Sequence, residues 1–219
     1  MNAEAHALKD DSYFAHARTE IAPLLPAHAA RVLEVGCGNG ATLAWLRATG
    51  RCERTVGIEI VERAATIARQ RADRVVTGDA PAALDTVLGE GPFDLVLCLD
   101  VLEHLADPWC FVAQIGTVLP AGATLVASVP NVRHWRVSAR LFLLGRWEYA
   151  DAGVLDRTHL RFFTRHSVRR LFDPAQFDVV CVKPSRPPMG SAGWWAGALS
   201  LGLLTDLLAV QMLVSVRRR

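Results

Sequence analysis

Apolar residues run through the chain in short unbroken blocks, separated by segments of helical period. Four blocks are rich in β-branched residues: RVLEVG (31–36), RTVGIE (54–59), FDLVLCLD (93–100) and ATLVASVP (123–130). Unbroken apolar strands of this length belong to sheets covered on both faces. Between them, GATLAWLRATG, VERAATIARQRA and PWCFVAQIGTVL read as helices. The alternation predicts βαβ units, hence an α/β fold with a mostly parallel sheet and helices on both faces. DRVVTGDA (73–80) adds a short strand, and QFDVVCVKP (176–184) with LAVQMLVSVR (208–217) an antiparallel edge pair. DSYFAHARTEIAPLLP predicts an amphipathic helix closed by Pro26, within an N-terminal helical segment over residues 1–30. The alternation breaks at residues 131–170, an insertion rich in arginine and aromatics, and otherwise reads as one domain over 1–219.

Composition changes this picture little. The 219 residues are 51% hydrophobic and 21% charged, as in an ordinary globular domain, and the net charge of +2 argues against a general nucleic-acid binder. Five scattered cysteines (Cys37, Cys52, Cys98, Cys110, Cys181) form no C-x-x-C pair. That argues against a disulfide framework or zinc site and for a reducing compartment. The opening MNAEAHALKDD lacks an apolar leader core, so a cytoplasmic location is expected. Residues 187–205 carry no charge, but four glycines, two leading prolines and the following Asp206 argue against a transmembrane span.

The first strand turns into its helix through VLEVGCGNGA, with glycines at 36, 38 and 40. In an open α/β sheet that turn is where nucleotides bind. The spacing is G-x-G-x-G rather than the G-x-G-x-x-G of a dinucleotide site. Glu34, two residues before the first glycine, would repel a pyrophosphate and suits a ligand bearing a cationic amine. Glu59 ends the second strand, where a carboxylate can take both ribose hydroxyls; such a charged hydrogen bond is worth about 1.5–3 kcal/mol. Asp79 follows the third strand, where it can accept from an adenine amino group. Each acid alone is equally a solvated loop residue. Their succession at three strand ends points to one site.

VLEVGCGNG, VGIEI, TGDA and FDLVLCLDVLEHL together resemble the successive motifs of class I S-adenosylmethionine-dependent methyltransferases. The resemblance implies a Rossmann-like sheet and S-adenosyl-L-methionine as cofactor. It would place Glu34, Gly36, Gly38 and Gly40 around the methionine end, Glu59 at the ribose, and Asp79 with Ala80 at the adenine. Asp100 and Val101 would line the sulfonium. Residues 130–164, PNVRHW through RFFT, are similar to a bacterial subgroup associated with surface-polysaccharide biosynthesis.

The fourth strand runs straight into Asp100, Glu103 and His104, over the expected reacting centre. His104 there suits a general base oriented by a carboxylate. Equally, Asp100, Glu103 and His104 suit Mg²⁺ or Mn²⁺, which would lower the pKa of an acceptor hydroxyl. The D-x-x-E-H with a later His, here His159, is similar to the E-x-x-E-H and downstream His of small-RNA 2′-O-methyltransferases and ubiquinone-pathway O-methyltransferases, with Asp100 in place of the first Glu; that resemblance implies His159 as a further ligand. The structural alternative is that Glu103 and His104 cap the next helix and His159 packs internally.

Residues 131–170 hold nine arginines against Glu148, Asp151 and Asp156, a local excess of +6. Interleaved with Trp135, Phe142, Trp147, Tyr149, Phe162 and Phe163, they read as a basic aromatic lid over an anionic acceptor, or as a solvated face. Within the lid, SARLFLLGRW (138–147) is expected to be a helix packed on the core. Trp194 and Trp195 suit a water–lipid interface, though buried packing or a dimer face explains the apolar tail equally. The sequence thus points to O-methylation of a hydroxyl on a polysaccharide or lipid-linked sugar, with peripheral membrane contact as one reading. A quinone-type small molecule, an RNA 2′-hydroxyl and a non-catalytic binding module are the alternatives, and the oligomeric state is open.

Overall fold

In the computed structural model, which describes residue 6 and residues 8–185 and 189–219, seven strands form a single sheet. They are β1 (Ala29–Val35), β2 (Cys52–Glu59), β3 (Arg74–Thr77), β4 (Leu95–Leu99), β5 (Thr124–Pro130), β6 (Phe177–Pro184) and β7 (Gln211–Arg218). The order is β3-β2-β1-β4-β5-β7-β6. All pairs from β3 to β5 are parallel, while β7 runs antiparallel to both β5 and β6. This is the α/β sheet with an antiparallel edge that the apolar blocks predict.

Every residue of β4 is buried because each face meets a separate core. Val96 and Cys98 point into one, with Leu33, Ile58, Phe111 and Val214. Leu95, Leu97 and Leu99 point into the other, with Ile21, Val32, Leu43 and Leu46. The strand therefore needs apolar side chains at successive positions. Helices Ala41–Ala48, Glu62–Ala68 and Pro108–Val118 fall where the sequence pattern places them. The helix Ala80–Val87 replaces the end of the strand expected at 73–80, since only Arg74–Thr77 pairs with β2.

Two expectations are corrected. The N-terminal segment is not one amphipathic helix but two 3₁₀ turns, Asp11–Phe14 and Thr19–Leu24, the second containing Pro23. A proline inside the turn removes a donor and precludes a longer α-helix, and the anchors are just Ile21 and Leu24. The lid helix forms, at Trp135–Leu144, but none of its residues is buried and Phe142 is 93% exposed. It stands off the core instead of packing on it. In the apolar tail, Pro187 and Pro188 lie outside the described residues, and two short helices follow, Ala192–Leu199 and Thr205–Leu208. Among the described residues no helix is long and apolar enough to cross a membrane.

The chain reverses its direction of winding between β1 and β4, leaving a crevice at the carboxyl edge of the sheet. Phe111, 1% exposed on the Pro108–Val118 helix, braces β4 beneath that crevice. Phe111→Ala is expected to lower unfolding free energy by about 3–5 kcal/mol, the cost of an aromatic-sized cavity. Urea titration measures it, and a change near zero would mean that this helix does not brace the core.

Candidate functional site

A cavity of about 370 Å³ opens at the carboxyl ends of β1, β2 and β4. Its walls include Glu34, Gly36, Gly38, Glu59, Asp100 and Val101, with Ala80 from the next helix. Gly40 and Asp79 stand just behind, at the first turns of Ala41–Ala48 and Ala80–Val87. Gly36 and Gly38 both adopt left-handed backbone, φ +70° and +54°. A Cβ on Gly36 would come within 2.5 Å of Val101, and one on Gly38 within 2.8 Å of the Phe14 carbonyl. Glycine is required at both positions.

Glu59 is committed to the glycine turn, its oxygens accepting from Gly38 N at 2.8 Å and Val61 N at 2.9 Å. Glu34 is not. It is 3% exposed, and its Oε2 has no hydrogen-bond partner among the described residues. Burial pushes its carboxyl up to about 8, against the opposing pull of Thr42 and Arg18. A buried acid in a cavity, with an acceptor atom left over, fits a ligand that brings a cationic amine.

Asp100 also lines the cavity, in strained left-handed backbone at φ +56°. Its carboxylate accepts from Arg18 Nη1 at 2.5 Å, from Gln211 Nε2 at 2.7 and 2.9 Å, and from Ser128 Oγ at 2.8 Å. With its lone pairs engaged by these donors, Asp100 stands outside the cluster that could hold a cation, contrary to the sequence expectation. Sequence reasoning missed Arg18 and Gln211 altogether. One lies in a segment read as a helix and the other opens an edge strand, and nothing local marks either as a partner of β4.

The cluster itself is Glu103, His104 and His159, whose ligand atoms lie within 4.8 Å of one another. Glu103 and His104 form a 3₁₀ turn, Leu102–His104, after β4. They do not cap the following helix: Asp107 does that, accepting from Cys110 N at 2.9 Å. His159 arrives from the inserted segment because Leu160 N and Arg161 N both donate to the Glu103 carbonyl, at 2.8 and 3.0 Å. Asp156, held by Lys9 and Thr158, steadies the same loop.

His104 Nδ1 lies 3.0 Å from the Thr158 carbonyl, and His159 Nδ1 3.0 Å from the Val154 carbonyl. A carbonyl can only accept, so each Nδ1 carries the proton and each Nε2 presents a lone pair. His159 Nε2 faces Glu103 Oε1 at 4.0 Å. Neither Glu103 oxygen nor His104 Nε2 has a hydrogen-bond partner among the described residues. Burial pushes the Glu103 carboxyl well above its ordinary range and lowers His104 to about 3. Two imidazole lone pairs and a carboxyl that burial favours in its protonated form thus converge with no hydrogen bond among them; on loss of that proton the three groups fit a divalent cation. His6, unremarked in the sequence, adds a buried imidazole with its ring 4.6 Å from that of His104 and its Nε2 unpartnered among the described residues.

The lid does not roof this cavity: among its described lining residues none comes from 131–170. Arg157 pairs with Asp151, Arg161 bonds the Ala106 carbonyl, and Arg165 pairs with Asp206.

A sheet of this order, with a glycine turn and strand-end acids at its crevice, defines a class I methyltransferase architecture. The chain belongs to the methyltransferase-domain family, whose model matches residues 6–182. It is 27% identical over 161 residues to a ubiquinone biosynthesis O-methyltransferase of Idiomarina loihiensis, covering 69% of this chain and 63% of that protein. It is 36% identical over 112 residues to the 27-O-demethylrifamycin SV methyltransferase of Amycolatopsis mediterranei, covering 48% and 40%. The chain therefore spans less than two thirds of the length of these relatives. Its fold is similar to that of the N-methyltransferase NodS from Bradyrhizobium japonicum, solved with S-adenosyl-L-homocysteine, at a TM-score of 0.60 and 17% identity over 99% of this chain and 96% of that one.

Glu34 has a consequence for stability. Between its ordinary value of 4.5 and about 8, the folded chain keeps a proton that the unfolded chain has lost. Stability therefore falls as pH rises through that window. Glu34→Gln is expected to decline less steeply from about pH 5 to 8 in urea titrations, with a remaining slope from Glu59 and Glu103, both also raised by burial. Parallel profiles for the two proteins would contradict the assignment.

Proposed function

We propose that the chain transfers a methyl group from S-adenosyl-L-methionine to a hydroxyl oxygen of a small, quinone-type acceptor. Glu103, His104 and His159 would hold Mn²⁺ or Mg²⁺ beside that hydroxyl. The observation that carries this reading is the convergence of one carboxyl and two imidazole lone pairs, with no hydrogen bond among them, next to the cavity.

When bound, S-adenosyl-L-methionine supplies an electrophilic methyl on a sulfonium. Glu34 would pair with its ammonium, and Gly36, Gly38 and Gly40 would let the chain turn closely around the methionine end. Glu59 would hold the ribose, Asp79 with Ala80 the adenine, and Asp100 with Val101 the surroundings of the sulfur. Arg18 and Gln211 fix the Asp100 carboxylate, so that it adds a settled negative field there. When bound, a divalent cation lowers the pKa of a hydroxyl on it by stabilising the oxyanion. Two nitrogen donors and one carboxylate suit Mn²⁺ better than Mg²⁺, which prefers an all-oxygen shell.

The alternative in which His104 acts alone as general base is weaker. Burial that lowers it to about 3 leaves a neutral but feeble base, far from the pKa near working pH that proton abstraction favours. The glycan or lipid-linked sugar acceptor drew on the resemblance over residues 130–164, the basic lid and the apolar tail, and the described cavity lining holds no lid arginine. The quinone-type acceptor fits better with relatives whose names specify ubiquinone and rifamycin O-methylation.

Methyl-labelled S-adenosylmethionine offered with a catechol acceptor tests the reading. Transfer is expected to stop with a chelator and to return with Mn²⁺, and Glu103→Gln and His159→Ala are expected to lower kcat by about 100-fold or more. Chelator-insensitive transfer that His104→Ala abolishes would assign the site to base catalysis. Cofactor binding without transfer to a catechol, sugar or RNA hydroxyl would leave a binding module.

A further inference from the structure

Two segments that the fold leaves uncovered rise from the same edge of the sheet. One is the Trp135–Leu144 helix, which follows β5 and has no buried residue. The other links β6 to β7 and exposes Met189, Leu199, Leu201 and Leu203, with Leu201 at 93% and Leu203 at 85%. The pairings Pro130 with Gln211 and Pro184 with Met212 put the end of β5, the end of β6 and the start of β7 side by side. Asn131 Nδ2 donates to the Asp206 and Ala209 carbonyls at 2.7 and 2.9 Å, tying the roots of both segments together. Gln211, where the second segment ends, bonds Asp100 in the cavity wall. The uncovered apolar surface is thus rooted at the edge that holds the site.

Its charge is mainly basic. Residues 131–147 contain Arg133, Arg136, Arg140 and Arg146 and no acid, Glu148 lines a cavity with the last three of them, and residues 189–205 contain no charge. Among the described residues, none of these four arginines forms an ion pair, and Arg136 lies over the Trp135 ring at 5.5 Å. Leucine, phenylalanine and tryptophan beside unpaired guanidinium groups form the pattern of a helix lying in an anionic interface. A second copy is a poorer occupant. The same two segments on a second copy would offer these arginines no acid within residues 131–147 or 189–205.

We propose that the Trp135–Leu144 helix and the 189–205 segment dock on the surface of an anionic lipid bilayer, with the cavity edge facing the headgroups. The inference deepens the O-methyl-transfer reading by making the acceptor a lipid-dissolved molecule, but docking itself does not require transfer to occur. The helices are too short to cross, so the chain would lie on the membrane.

Vesicle sedimentation of the full chain tests this directly and is independent of activity. Phosphatidylcholine vesicles with a third phosphatidylglycerol are expected to bind it at least about tenfold more tightly than phosphatidylcholine alone. Phe142→Asp with Leu143→Asp, and separately Leu201→Asp with Leu203→Asp, should each weaken binding by about tenfold or more with the melting temperature unchanged, since these side chains touch no core. Replacing Arg133, Arg136 and Arg140 by Gln should remove the preference for anionic vesicles. Absence of sedimentation, or binding unaltered by both aspartate pairs, overturns the proposal. So does a dimer in solution that Phe142→Asp dissociates, because the face would then belong to a second copy. If vesicles bind and no methyl is transferred, the docking stands and the catalytic reading fails.

Discussion

The Asp100 carboxylate is the knot on which the carboxyl edge of the sheet depends. It sits at the end of β4 in a backbone conformation costing on the order of 1–3 kcal/mol, and persists because its surroundings fix it. Arg18 from the N-terminal segment, Ser128 from β5 and Gln211 from β7 converge on it. These three are far apart in sequence, so one carboxylate joins the entrance of the chain, its central strands and its antiparallel edge. Arg18 further reaches Ser128 and Gln211, closing the network on itself. Because those donors claim Asp100, the acid that the sequence would assign to a cation is structural and electrostatic instead.

Desolvation without compensation distinguishes the acids that remain. Glu59 recovers its lost hydration through two backbone N–H groups, but Glu34 and Glu103 do not recover theirs fully. Burying a carboxyl with lone pairs unmatched is unfavourable, and the molecule does so twice within one crevice. One faces the cavity, where an ammonium would settle it. The other faces two imidazoles whose protons are held away by backbone carbonyls. Folding thereby leaves two under-satisfied carboxyl groups, one beside the glycine turn and one against the imidazoles of His104 and His159.

The inserted segment divides its labour between interior and exterior. His159 and Asp156 face inward, where two N–H groups on the Glu103 carbonyl and the Lys9 ion pair hold their loop. The preceding helix faces outward with an arginine-flanked apolar surface. On the proposed readings, one half of the insertion would complete the site and the other would meet the membrane.

The apolar blocks and their helical spacers were enough to determine the parallel sheet, its antiparallel edge and the strand-end placement of Glu34, Glu59 and Asp100. These features follow from local period and from which residues can tolerate burial. The closeness of Glu103, His104 and His159 was readable only as a resemblance, since nothing in spacing alone brings residues 104 and 159 together. The tertiary structure decided what depends on partners distant in sequence. It gave Asp100 to Arg18 and Gln211, broke the N-terminal helix into two turns around Pro23, and left Phe142 in solvent where a packed lid was expected. Hydrophobic period specifies which face of a segment is apolar, but not what will cover it. That is settled by the surfaces left over once the sheet has closed.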